Sequence, residues 1–161
     1  MAQHAFSNVF LPNLGPGTGL AILGFRAYAF GRTECCCVQS GFSAALGADA
    51  PEALADLLTF TRVLGASGTR KIGLTAPGCA RMTQDELSIA CALAAAQAWD
   101  QAAVCAHLSR LLGTPASAVL QSIITQIGDT FAGHGLGFEA PADARAVPAG
   151  TTPAFRLVSS S

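Results

Sequence analysis

Thr83 is followed three positions later by Glu86, directly ahead of the apolar run Leu87-Ser88-Ile89-Ala90-Cys91-Ala92-Leu93. That spacing fixes a helix start before anything else in the chain is read. The Thr hydroxyl can accept from the N–H of Glu86 while the Glu carboxylate reaches back to the N–H of Thr83, so two of the orphan donors at a helix start satisfy each other's residues. The helix is expected from about Gln84 to Ala98. The preceding Thr75-Ala76-Pro77-Gly78-Cys79 reads as a tight loop that carries a thiol to the positive end of that helix, where thiolate is favoured over thiol.

Other segments repeat the same grammar of caps and 3.6-residue periodicity. Leu20, Leu23, Ala27 and Phe30 share one stripe with Arg26 on another face, and Thr33 to Leu46 resumes the pattern after Gly31. Asp49 or Ala50 opens a helix with Pro51 in its first turn and Leu54, Leu57, Leu58, Thr61 and Leu64 along it. Asp100 caps a helix carrying Val104, Leu108, Leu111 and Leu112, which Gly113 ends. Thr114 is expected to cap the last helix with Pro115 at its first position and Val119, Leu120, Ile123, Ile124 and Ile127 on its core face.

The fold class expected is therefore mainly α: a single-domain helical bundle of about five or six helices, with one short strand or extended segment near 71–75. Residues 1–138 form that domain, with an extended N-terminal arm over 1–18, and residues 139–161, rich in Ala, Pro, Ser and Thr, form an irregular C-terminal tail. At 161 residues, such a domain buries roughly 70% of its unfolded surface and folds without a metal or disulfide staple.

Composition narrows the function classes. Charged residues are 12% of the chain, against about 25% in an ordinary soluble domain, so apolar surface needs cover and a second copy is the commonest cover. A formal charge of −1 with one lysine, Lys71, gives no reason to approach a polyanion. The helix pair around Gly113 has the rhythm of a helix-turn-helix, yet its would-be reading helix from Pro115 to Gly128 holds no Arg or Lys, so no nucleic acid is expected. Pro and Gly interrupt the uncharged N-terminal segment, and the other apolar runs are short, so neither a signal peptide nor a membrane span is expected and the location read from sequence is cytoplasmic.

Six cysteines in a reducing compartment stay as thiols. Cys91 and Cys105 fall in helical patterns and read as packing residues. Cys79 is a candidate catalytic nucleophile with His134, which lies between two glycines, as candidate base. Cys35, Cys36, Cys37 and His107 are candidate metal ligands, zinc being the ion considered, although successive helical residues point about 100° apart and at most two adjacent thiols could meet one ion. Glycines 15, 17 and 19 lack the strand and the Lys-Ser/Thr ending of a phosphate loop. With no assembled catalytic or cofactor-binding motif, the expected role is a protein-protein interaction or regulatory module, a homo-oligomer with a dimer preferred, or a module for another protein. The alternative is a thiol- or metal-dependent site built around Cys79 with Cys35–Cys37 and His134.

Overall fold

The computed structural model describes residues 6–141. Strand β1 (Phe6–Phe10) leads through a 3-10 turn (Leu11–Leu14) into helix α1 (Gly15–Ala29). Helix α2 (Cys36–Leu46) and a second 3-10 turn (Gly47–Asp49) precede α3 (Ala50–Ser67). An extended stretch and a turn then reach strand β2 (Arg81–Thr83), which runs straight into α4 (Gln84–Gln97), followed by α5 (Gln101–Leu112) and α6 (Ala118–Gly133). The mainly α class expected from the periodicities is observed, with β1 and β2 paired antiparallel and an irregularity between Phe6 and Phe10.

Helix α4 occupies the middle of the bundle. Every residue from Glu86 to Leu93 is buried, the all-round pattern of a helix enclosed by neighbours, and those neighbours are α5, α6, α1 and β1. Its small residues Ala90, Ala92 and Ala96 allow the surrounding helices to approach closely. Around it the core is filled by Phe25, Phe42, Phe60 and Phe131, with Phe42 and Phe131 edge to face at 5.9 Å between ring centroids, the arrangement that the ring quadrupoles favour.

Several boundaries differ from the sequence reading for identifiable reasons. The arm expected over 1–18 is, within the described residues, a strand, a turn and the first residues of α1. That helix starts at Gly15 rather than near Leu20, with Pro16 in its first turn where a missing N–H costs nothing. Gly17 is required there because a Cβ would stand 2.5 Å from the backbone oxygen of Gly137. Residues 71–75 are extended but join no ladder. Their amides are taken by carboxylates instead, Gly73 N–H donating to Asp85 Oδ2 at 2.7 Å and Thr75 N–H to Glu86 Oε1 at 2.9 Å.

The cap of α6 is Ser117, whose hydroxyl accepts from Leu120 N–H at 3.3 Å, so Thr114 and Pro115 lie outside the helix. Residues 139–141 are a continuation of a pinned strap rather than an irregular tail. Gln97 donates to Leu136 O at 2.9 Å and accepts from Phe138 N–H at 2.6 Å, and Thr18 Oγ1 accepts from Glu139 N–H at 2.8 Å. The rest of the expected tail, 142–161, lies outside the described residues, as do residues 1–5.

Candidate functional site

The turn between α4 and α5 places an unusual residue on the surface. Only Ala98, Trp99 and Asp100 connect the two helices, so the chain must reverse within the end of α4: Trp99 N–H donates to Ala96 O at 3.1 Å and Asp100 N–H to Ala95 O at 3.0 Å. Such a reversal needs a left-handed residue, normally Gly or Asn. Here it is Trp99, with φ 57°, the one non-glycine residue at positive φ among those described, a conformation that costs an L-residue roughly 1–2 kcal/mol. Its side chain is 69% exposed, more than any other large apolar side chain described.

Beside it runs a cleft of about 380 Å³ between α4 and α5, closed at one end by the strap. Ala94, Ala95, Ala98 and Ala103 form small-residue walls, and Phe138, His107 and Cys91 line its depth. The His107 side chain is 3% exposed, and its Nδ1 is fully buried with no hydrogen-bond partner. Burial pushes its imidazole below the ordinary histidine pKa, with Arg110 adding to the effect and Asp100 opposing it, so the ring is neutral at physiological pH and one nitrogen is an acceptor. Asp100 caps α5 by accepting from Ala103 N–H at 3.0 Å, and Arg110 ties α5 to α4 through the Ser88 hydroxyl.

A second polar centre lies wholly inside. Arg26 and Glu86 are both 0% exposed and paired twice, Nε to Oε1 at 2.7 Å and an Nη to Oε2 at 3.0 Å. Glu86 also accepts from Thr75 N–H and from Thr83 N–H, both at 2.9 Å, the latter completing the capping box expected from sequence. Arg26 donates to Cys79 O at 2.6 Å and Arg81 O at 3.0 Å. The arginine read as lying on another face of its helix thus holds the 75–83 loop against α1. With four of the arginine's N–H donors and both carboxylate oxygens engaged, and neither charged side chain exposed, this network holds backbone in place.

The residues singled out from sequence lie on several different segments of the fold. Cys79 is half-buried in a groove between its own loop and the start of α1, beside Pro77, Leu11, Pro16 and Leu20. His134 follows α6 and pairs with Asp49 at 2.7 Å. No hydrogen bond or ion pair among the described residues joins His134 to Cys79. Cys35 caps α2, where the backbone N–H groups of Val38 and Cys37 lower its thiol pKa without closing a hydrogen bond of normal geometry. Cys36 and Cys37 are exposed, and Cys36 pushes the Cys37 thiol up. His107 lies in the α4–α5 cleft instead. Among the described residues no group of three or more His, Cys, Asp or Glu side chains is placed to hold a metal ion. Nor is any helix among them long and apolar enough to cross a membrane.

Sequence reasoning passed over Trp99 altogether. The available signal was a three-residue helix connection containing neither Gly nor Asn, which forces some other residue into the reversal. No protein-family model, curated protein or solved structure matches this chain, so function is argued from geometry.

Proposed function

We propose that this chain is an interaction module that associates with a second copy of itself through Trp99 and the adjoining α4–α5 cleft. The observation that carries the reading is the exposed indole held in a left-handed backbone conformation, since strain retained at a surface side chain points to a use for that side chain. A large aromatic knob beside a hollow walled by alanines is self-complementary: one two-fold axis places each indole in the other copy's cleft, the isologous arrangement of most dimers. Trp is also the residue type most enriched among interface residues that dominate binding energy.

The experiment is Trp99→Gly compared with the unaltered chain by sedimentation equilibrium and urea denaturation. Glycine accepts the left-handed conformation without strain, so the variant should unfold at an equal or higher urea concentration when both are measured as monomers. It should nevertheless lose self-association by about 2 kcal/mol or more, roughly thirtyfold. A chain that is monomeric throughout its soluble range, or a Trp99→Gly variant that associates as tightly as the parent, refutes the reading.

A further inference from the structure

A second cleft combines features that the interaction reading does not employ. It has a volume of about 670 Å³ and lies between the end of α1, the second half of α3 and the extended segment 68–74. Phe25 and Leu64 make its floor, and Ile72 and Leu74 make one wall, half-buried along its length. Its volume falls in the range of small-molecule sites, which are mostly apolar with a few placed polar groups.

The polar groups here are of one kind. Arg62, Arg70 and Lys71 line the cleft and no carboxylate does. Arg70 is committed to Asp85, with a bidentate pair at 2.7 and 3.1 Å. Arg62 and the chain's single lysine, Lys71, are exposed and form no ion pair among the described residues. Tyr28 also lines the cleft, only 9% exposed. Its hydroxyl takes part in no hydrogen bond among the described residues, so it is free to donate to a group bound in the cleft. Burial raises the phenol pKa, which keeps the proton on and the hydroxyl a donor.

We infer that this cleft binds a small amphipathic carboxylate, its head between Arg62, Lys71 and the Tyr28 hydroxyl and its alkyl chain over Phe25, Leu64 and Ile72. Charge complementarity selects an anion, because two cations without counter-charges stand at the rim of an otherwise apolar hollow. The volume of the open cleft suits a single short chain better than a peptide, whose backbone donors and acceptors would find few partners among these side chains.

Isothermal titration of the full chain with octanoate, decanoate and dodecanoate, each below its micellar concentration, tests this. Each added methylene should tighten binding by up to about fourfold until the cleft is filled. Tyr28→Phe should weaken decanoate binding about threefold or more. The surface double variant Arg62→Gln with Lys71→Gln should weaken it at least about tenfold while leaving the urea midpoint unchanged. Decyltrimethylammonium, with the same tail and the opposite charge, should bind at least about tenfold more weakly than decanoate. No binding of any carboxylate, equal binding of the ammonium, or an unchanged affinity in the double variant overturns the inference. Self-association is read separately through Trp99, so either proposal can fail while the other stands.

Discussion

Replacing both members of the Arg26–Glu86 pair by apolar residues should weaken the fold, although buried ion pairs in general do not behave that way. Exchanging an isolated buried pair for well-packed hydrophobes is often neutral or stabilising by about 1–4 kcal/mol, because desolvation cancels the Coulombic attraction. Here Glu86 also accepts from Thr75 N–H and Thr83 N–H, and both residues are buried, 7% and 1% exposed. In Arg26→Met with Glu86→Leu those two amides lose their acceptor, at about 1–3 kcal/mol each, a total of about 2–6 kcal/mol that no new apolar contact restores. The carbonyls of Cys79 and Arg81 also lose Arg26, but they belong to half-buried and exposed residues and can turn to water. Either single change, Arg26→Met or Glu86→Gln, strands one buried charge and should cost about 3–5 kcal/mol. Those losses are a large share of a typical 5–15 kcal/mol, so urea unfolding is best followed with sucrose present to preserve a native baseline. With the exchange of the pair itself taken as neutral, the double variant should lie at least about 2 kcal/mol below the parent. Parent-like or higher stability in the double variant would refute the argument that the pair is retained for the backbone it organises.

Three further outcomes follow from particular contacts. Gly17→Ala drives a Cβ to within 2.5 Å of Gly137 O and should cost about 1–3 kcal/mol, with faster hydrogen exchange at the Phe138 amide, now bonded to Gln97; unchanged exchange there would show that the strap yields without strain. Asp56 has an unpartnered buried carboxylate oxygen, and burial first and Glu52 second raise its pKa. A carboxyl whose pKa is higher folded than unfolded loses stability as pH rises through that range, so Asp56→Asn should raise the urea midpoint at pH 7 and lose that advantage as the pH falls toward 4; a lower midpoint at pH 7 would count against it. Trp99→Gly should leave the near-ultraviolet circular dichroism of the remaining aromatic core intact, whereas a molten spectrum would mean that the indole supports the fold.

How much of this was legible in the sequence varied with the range of the forces involved. The capping box at Thr83 and Glu86, the Asp100 cap and the Gly113 terminus, where φ is 70°, depend on neighbours within four residues, and periodicity alone located those helices. What escaped was non-local. Arg26 resembles any surface arginine until segments more than fifty residues away supply Glu86 from the first turn of α4 and the carbonyls of Cys79 and Arg81. Likewise Thr114-Pro115 makes a good local helix start, yet Ala116 N–H is bonded to Ser109 Oγ and the chain turns once more before Ser117 caps α6.

Composition pointed toward a greasy exterior, and the structure locates where that pressure is felt. Much of the apolar excess is alanine, part of it absorbed by the close packing around α4 and by the walls of the Trp99 cleft. Among the described residues five large apolar side chains are exposed: Phe6, Phe10, Phe30, Trp99 and Val119. Phe6 is covered on one face by the Arg81 guanidinium, 4.6 Å from its ring centroid, a cation–π contact that partly shields it. Phe30 and Val119 stand singly, as exposed apolar residues commonly do. Trp99 alone combines high exposure, backbone strain and an adjacent hollow. Low charge therefore limits what the surface repels, and under the proposed self-association the turn between α4 and α5 is where a second copy would dock.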